Sequence, residues 1–568
     1  MPEATPISVR SSLAGKHVLV TGGSGFLGKV FIALLLEHLP DIGRIYVFMR
    51  PRSLVSGRSR FENILNTSPV FAGLHDRYGS GITTFLANRL EVVEGSLEED
   101  GLGFSPALST RLRRDLDLVV HSAGLVDFNP DLGKAIASNV DSTLNVAHFV
   151  ERCAHASLLH ISTCYVAGRR SGLIEECLIP DRTPNGKFLD AAAELADARL
   201  AMESIRGEFE AGGKREAAIL CRVEADLGSS ATSQQVQNHL RRRVRESLRD
   251  ALSDEGMSRA AALGFPNTYT YTKFLAESLL SKRRSSLAYS ILRPTIVESA
   301  VTFPFPSWNE SFNGSAPLAY VMGSWYRMVP ARPQAPFDVI PVDEVCKAMA
   351  LCSAALLERR HAEVYQIGTS QRHRCSVGRA AELIVLSHRK HYRERERSRS
   401  DRVFKSRWDA ILVHPDHLLG VEGLSSGMSL ARDALDLVPD KLRTKMSRFE
   451  TRLDDFDSKL ADIRKMVELY MPFMYENAYV FESKAIDRHP ALEPEFEFCP
   501  EKVDWRHYWL DIHMPGLRRY AFPLIEGRRP ERYRAPNRAT LPPSAEEDGQ
   551  TALQAAYVIA HESLFSES

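Results

Sequence analysis

From Lys16 the chain runs KHVLVTGGSGFLGKVFIALLLEHL, a short β-branched apolar stretch, a glycine turn, then apolar residues at helical spacing. The pattern predicts strand, loop and helix in that order. Arg44 to Arg50 (RIYVFMR) reads as a second strand, Leu90 to Glu94 as a third, Asp117 to His121 (DLVVH) as a fourth and Ser157 to Ser162 (SLLHIS) as a fifth, with helical stretches between them. Strands that alternate with helices imply βαβ crossovers and a parallel sheet covered on both faces.

After Pro180 this alternation lapses into a charged, alanine-rich region that predicts a helical insertion over residues 181–264. It resumes with the helical segment around Tyr269 and Lys273, then with Tyr289 to Leu292 and Phe337 to Ile340. The expected fold class is α/β, a Rossmann-type doubly wound parallel sheet with a helical insertion and a mainly helical C-terminal domain. The sequence divides into an N-terminal tail (1–15), a nucleotide-binding domain (16–370), a C-terminal domain (371–540) and a tail (541–568). Within the C-terminal part Met446, Phe449, Leu453, Phe456, Leu460, Ile463 and Val467 repeat at alternating steps of three and four, which predicts a long amphipathic helix. Packing of that helix within the chain and pairing in a homodimer are both compatible with the pattern.

At 568 residues the chain is longer than a single core usually supports. Its 44% hydrophobic and 25% charged residues are ordinary soluble usage. Lys+Arg and Asp+Glu both number 72, so no overall field draws the chain to nucleic acid and any anion site must be local. The eight cysteines contain no C-x-x-C and no metal-like cluster, so no metal is expected and a reducing, cytoplasmic setting is. No secretory signal and no stretch of about 18 apolar residues is evident.

The chemistry begins at the glycine turn. Gly22, Gly25 and Gly28 stand at G-x-x-G-x-x-G spacing between strand and helix, where backbone can approach a pyrophosphate and helix N–H groups can meet its charge. About 20 residues on, where an NAD enzyme carries a carboxylate for the ribose hydroxyl, this chain has Arg50 and then Arg52. Guanidinium groups there suit a 2′-phosphate, which favours NADP(H).

Tyr269 and Lys273 are four apart and share a helix face, so the ammonium is expected to lower the phenol's pKa. Thr163 closes the fifth strand in HISTCYVAG, at the sheet edge where open α/β folds bind ligands, and its hydroxyl could hold a carbonyl oxygen. Asn139, in SNVDSTLN, is a candidate for positioning a water or the lysine.

Together these residues resemble the extended short-chain dehydrogenases, and the surrounding blocks resemble the fatty acyl-CoA reductase family: VLVTGGSGFLGKV, IYVFMRPR, HSAGLVDF, HISTCYVAG, PNTYTYTKFLAE and LRPTIVESA, then ELYMPFMYENAYVFESKAI and VDWRHYWLDIHMPGLRRYAF. The resemblance implies Tyr269 as general acid, Lys273 as its activator and ribose anchor, Thr163 as the carbonyl-orienting hydroxyl and Asn139 as the fourth member. It implies a cofactor set of Thr21, Gly22, Gly23, Ser24, Gly25, Phe26, Leu27 and Gly28, with Arg50 and Arg52 at the 2′-phosphate, Ser122, Ala123 and Gly124 after the fourth strand, and Pro294 and Thr295 after the strand that follows Lys273. The expected reaction is NADPH-dependent reduction of a long-chain acyl-CoA to aldehyde and on to primary alcohol, with acyl carrier protein as an alternative carrier.

Gly95-Ser96 departs from the usual Gly-Asp of related proteins. Without the C-terminal membrane anchor of many eukaryotic members, a soluble, bacterial-like form is expected, with peripheral membrane contact left open through the basic runs at 241–245 and 387–402. Those runs are also candidates for the phosphates of CoA, with a solvated helix face as the favoured alternative, and Phe303, Phe305, Trp308 and Phe312 for the lining of an acyl tunnel, with packing in the core as the favoured alternative. The competing readings are an NADP-dependent dehydrogenase or epimerase on another carbonyl, and a non-catalytic NADP-binding scaffold.

Overall fold

Seven parallel strands carry the nucleotide-binding half in a computed structural model, which describes residues 4–51, 55–228, 231–310, 314–324, 326–395, 407, 409–417, 423–425, 429, 456–461, 463–530 and 533–542. They are β1 (His17–Thr21), β2 (Arg44–Met49), β3 (Leu90–Glu94), β4 (Leu118–His121), β5 (Ser157–Ile161), β6 (Tyr289–Pro294) and β7 (Val364–Ile367). Their order across the sheet is β3-β2-β1-β4-β5-β6-β7. Every strand is almost wholly buried, as a sheet covered on both faces demands. The chain runs outward from β1 to β3, then crosses back to β4 on the other side of β1. That reversal opens a crevice beyond the carboxyl ends of β1 and β4, where such sheets bind ligands.

The strand expected at Phe337 to Ile340 is displaced from this sheet. Residues Val339–Pro341 pair instead with Ile296–Glu298, just beyond β6. The seventh place belongs to β7, a four-residue strand too short to stand out by periodicity.

Helix α1 (Phe26–His38) fills one face, and its buried positions run continuously from Gly28 to Leu36 because α6 (Val342–Leu357) covers its outer side. The insertion forms three helices, α2 (Ala191–Phe209), α3 (Lys214–Leu227) and α4 (Ser233–Ala262). They buttress α5 (Thr268–Ser281), the helix of Tyr269 and Lys273. Tyr271 donates its hydroxyl to Glu194 of α2 at 2.7 Å, and Arg259 of α4 reaches Glu194, Asp197 and Glu255. Gly256 of α4 lies so close to Thr268 that a Cβ there would stand 2.7 Å from its hydroxyl.

The N-terminal residues, expected as a tail, are part of the body. Ile7, Val9 and Leu13 are buried, Ile7 bridges to Ala491, and Glu493 accepts from the Val9 amide. The boundary placed near residue 371 is crossed by one hydrophobic core that unites Ala316 to Val339 with Tyr470 to Phe522. Strand Tyr479–Phe481 also pairs with Gly172–Ile174. Of the predicted amphipathic helix, Met446, Phe449 and Leu453 lie outside the described residues. Leu460 and Val467, with Phe456 and Ile463 beside them, pack on Val321 and Tyr326 of the same chain.

A buried polar clasp joins the second half to the first. His513 meets the hydroxyls of Ser299 at 2.8 Å and Ser315 at 2.9 Å, and the Ser315 amide donates to Glu298 at 2.5 Å. Burial holds His513 neutral, with its pKa down to about 3, and lifts Glu298 to about 7. With the ring neutral, the 3.7 Å approach of His513 to Glu298 is not an ion pair, and below about pH 7 both groups are uncharged. Because the folded pKa of Glu298 lies above its unfolded value, its contribution to stability is fully present below about pH 4.5 and is lost as pH rises through about 7. Glu298→Gln should leave the melting temperature little changed at pH 5 and raise stability at pH 8, by up to about 3 kcal/mol. Calorimetric scans at the two pH values check this, and equal shifts at both would contradict it.

Candidate active site

The glycine turn is built as a dinucleotide cradle. Gly22 has φ of +74°, and a Cβ on it would meet the backbone of Ser122 and Ala123 at 2.7 to 2.8 Å. A Cβ on Gly28 would stand 2.3 Å from the Gly22 carbonyl oxygen, so neither position admits a side chain. Gly25 caps α1 without any side-chain acceptor, which leaves the first-turn N–H groups free for an anion. Phe26 stacks on buried Trp308 at 4.9 Å, pinning the turn, while Gly23 packs on Val47 and Ile32. Thr21 ends β1, and its hydroxyl accepts from the Ala123 amide at 3.2 Å, tying the turn to the 122–124 loop. These features fit a nicotinamide dinucleotide lying across β1 and β4.

Arg50 sits just beyond β2, 58% exposed and paired with Glu98 at 2.6 Å. Arg60 donates to the Arg50 carbonyl and brings a second guanidinium to that strand end. Spacing from the glycine turn gave no reason to single out Arg60. Arg52 lies outside the described residues. Pro294 is the last residue of β6, and Thr295 hydrogen-bonds with both its amide and its hydroxyl to the Ile367 carbonyl, at 3.0 and 3.4 Å.

Tyr269, Lys273, Thr163 and Asn139 converge and are all buried. Asn267 caps α5 by accepting from the Thr270 amide at 2.9 Å, which starts the helix two residues before Tyr269. Arg293 of β6 binds Glu277 of α5 through two of its nitrogens, at 3.0 and 2.5 Å, and locks helix to sheet. Tyr269 faces Thr163, whose hydroxyl accepts from the Tyr165 amide at 3.3 Å. Lys273 donates to the Ile161 carbonyl at 2.9 Å. A Cβ on Gly124 would stand 3.0 Å from Asn139 Oδ1 and 3.3 Å from Lys273 Nζ, so both line the floor beside the 122–124 loop. Asn139 lies in a π-helical turn, Ile136–Asp141, and exchanges hydrogen bonds with both backbone groups of Leu125 while donating to Thr272.

One expectation about this group is reversed. Burial pushes the Tyr269 phenol above its ordinary pKa, outweighing the lowering effect of Thr163, and Lys273 is not among the causes. Burial also brings Lys273 down to about 8, against the pull of Glu277. A phenol that stays protonated at neutral pH suits the donation of a proton rather than its removal.

Sequence reasoning missed an aromatic wall over the tyrosine. Phe128 stands 6.4 Å from the Tyr269 ring, and its other neighbours are Tyr470 at 5.9 Å and Phe473 at 5.5 Å. The block YMPFMYENAYVF is thus the apolar roof of the site. The residues proposed for a tunnel behave otherwise: Trp308 is core, Phe303 and Phe305 pack beside it, and Phe312 lies outside the described residues. The arginines at 241–245 decorate an exposed face of α4, two of them paired with Glu246 and Asp226. In the second basic run, Arg389 and Lys390 pair with Asp409 and Asp511, and residues 396–402 are outside the described set. Among the described residues no helix is long and apolar enough to cross a membrane.

Sheet order, glycine cradle and the Tyr-Lys-Thr group together define an NAD(P)H-dependent oxidoreductase. A family profile described as Male sterility protein matches residues 20–349, and the chain belongs to that family, which is the fatty acyl-CoA reductase family. The chain is 27% identical to "Probable fatty acyl-CoA reductase 4" of Arabidopsis thaliana, over 89% of its own length and 98% of the relative's. It is 24% identical to "Alcohol-forming fatty acyl-CoA reductase" of Simmondsia chinensis, over 90% and 98%. Among solved structures it resembles the reductase domain of a non-ribosomal peptide synthetase from Mycobacterium tuberculosis, with a TM-score of 0.47 and 14% identity, covering 92% of this chain and 94% of that one.

Gly28→Ala should reduce dinucleotide affinity at least tenfold while the protein still folds, since the clash falls on the cradle backbone. Fluorescence titration with NADPH and a circular dichroism spectrum measure the two. Unchanged affinity would remove the cradle from the cofactor site.

Proposed function

We propose that this protein reduces long-chain fatty acyl-CoA with NADPH to the aldehyde and then to the primary alcohol, releasing CoA. The observation that carries the reading is the convergence of buried Tyr269 and Thr163 at the mouth of β5, with Lys273 on the Ile161 carbonyl and the dinucleotide cradle beside them. Full-length likeness to acyl-CoA reductases supports the substrate class. Arg50 and Arg60 at the end of β2 support NADPH, because guanidinium groups there favour a 2′-phosphate.

Bound in the cradle, NADPH supplies the hydride that the carbonyl carbon accepts. Thr163 and Tyr269 hold the thioester oxygen between two hydroxyls, and as that oxygen gains charge Tyr269 gives up its proton to it. The product of this step is a thiohemiacetal. Its carbon–sulfur bond then breaks, with the thiol of CoA taking the departing proton and the carbonyl re-forming as an aldehyde. The aldehyde oxygen occupies the same pair of hydroxyls for a second reduction, so the alcohol requires two NADPH and two protons in all. Lys273, held on the Ile161 carbonyl, keeps a positive charge close to the developing oxyanion. The roof of Phe128, Tyr470 and Phe473 excludes water and offers the first methylenes of the acyl chain an apolar surface.

Purified protein given palmitoyl-CoA and NADPH should consume two NADPH per CoA released and yield hexadecanol. NADH should be at least tenfold poorer in kcat/KM, and Arg50→Ala should narrow that gap. Tyr269→Phe should lower kcat by roughly a hundredfold or more. No thioester-dependent oxidation of NADPH, or full turnover by Tyr269→Phe, would reject the proposal. The pH profile offers a separate check. Lys273 is charged below about pH 8 and loses its proton above it, so the rate of reduction should fall through pH 8 to 9. Lys273→Arg, slower throughout, should show no such fall below pH 10, and a wild-type profile flat to pH 9.5 would assign no role to the ammonium.

A further inference from the structure

Three polar residues stand in one register row at the carboxyl ends of three neighbouring central strands. Thr21 of β1 is paired with His121 of β4, and His121 with His160 of β5. All three are fully buried, which is costly unless each polar atom finds a partner. His121 finds two. Its Nδ1 lies 2.8 Å from the Thr21 hydroxyl, and its Nε2 lies 3.3 Å from the hydroxyl of Thr143.

The neighbours of those two hydroxyls favour one direction for the bonds along the chain. Thr21 Oγ1 already accepts from the Ala123 amide, so its own hydrogen is free to go to His121 Nδ1. Thr143 donates to the Asn139 carbonyl at 2.8 Å, so its oxygen is free to accept from His121 Nε2. The imidazole is therefore neutral, with its hydrogen on Nε2, and it closes a one-way sequence: Ala123 N–H to Thr21, Thr21 O–H to His121, His121 N–H to Thr143, Thr143 O–H to Asn139. Protonation would put a second donor opposite the Thr21 hydroxyl. Burial and the nearby Lys273 ammonium oppose it, holding the ring's pKa down to about 3.

The two ends of this sequence are the two halves of the site. Thr21 and Ala123 shape the dinucleotide cradle. Asn139 holds both backbone groups of Leu125 and shares the floor beside Gly124 with Lys273. We infer that His121 is a positioning residue that couples the cofactor cradle to the catalytic floor, so that the 122–125 segment is fixed from both sides at once. Resting on the NADPH-dependent reading, it adds a residue that touches neither cofactor nor substrate.

The protein carries 18 histidines, so His121 is assigned by comparing nitrogen-15 spectra of labelled wild type and His121→Phe. The expected signal is a neutral ring protonated at Nε2 that does not titrate down to pH 5, with or without cofactor. A neutral Nδ1–H ring or an imidazolium would overturn the proposal whatever the enzyme reduces. Kinetics and binding supply the second arm. His121→Phe keeps a flat ring, somewhat larger, and removes both bonds, and should weaken NADPH binding and lower kcat about tenfold each, since small misplacements of reacting groups are expensive. His121→Asn keeps an acceptor for Thr21 and should restore NADPH affinity but not kcat, whereas Thr143→Val should lower kcat and leave NADPH affinity as it was. If all three variants lose affinity and rate together, in step with a fall in melting temperature, His121 is a packing residue only. If wild type binds NADPH yet leaves acyl-CoA unreduced, the functional reading fails while the affinity pattern still judges His121.

Discussion

The backbones of β1 and β4 separate just beyond Thr21 and His121, and the site depends on how little they separate. Gly22 lies against Ser122 and Ala123 with no room for a methyl group, and that contact fixes the distance between the cradle and the loop that leads to Asn139. A wider gap would leave the pyrophosphate without its ring of N–H groups, and a narrower one would close the crevice. The seven-stranded order makes the gap possible, since only where the crossover direction reverses do neighbouring loops turn away from each other.

Close to that contact the two buried charges of α5 are each held by a partner. Lys273 is satisfied by a main-chain carbonyl, and the carboxylate of α5, Glu277, is committed to Arg293 instead. The lysine is thereby left with a lowered pKa near the working range, and the phenol above it stays protonated. Both shifts come from the same cause, burial under the aromatic roof and against the sheet, so the apolar environment that receives an acyl chain also sets the protonation states of the groups that act on it.

The sequence made the nucleotide half readable because its signals are local. Five strands, the glycine turn and the Tyr-x-x-x-Lys spacing each fall within a short window, and the structure places them within a residue or two. What stayed hidden is made by distant partners. Strand β7 has four residues and becomes a strand only by pairing with β6, and Phe337 to Ile340 has strand-like composition but leaves the sheet to pair with Ile296–Glu298. Trp308 looked like a tunnel aromatic by composition and is core because Phe26 lies under it. The pKa of Tyr269 was misjudged because helix spacing shows where Lys273 lies but not how deeply both are buried. Phe128, Tyr470 and Phe473 carry no motif, and only the folded C-terminal half brings them over the tyrosine.

That roof has a consequence for how the protein is made. The cradle and the four converging residues are all synthesised by Lys273, whereas Tyr470 and Phe473 follow about two hundred residues later, and strand Tyr479–Phe481 must then find Gly172–Ile174. On the ribosome the residues of the floor therefore emerge well before those of the roof. Contacts of such long sequence separation form late. The roof is therefore the part of the site that only a nearly complete chain can supply.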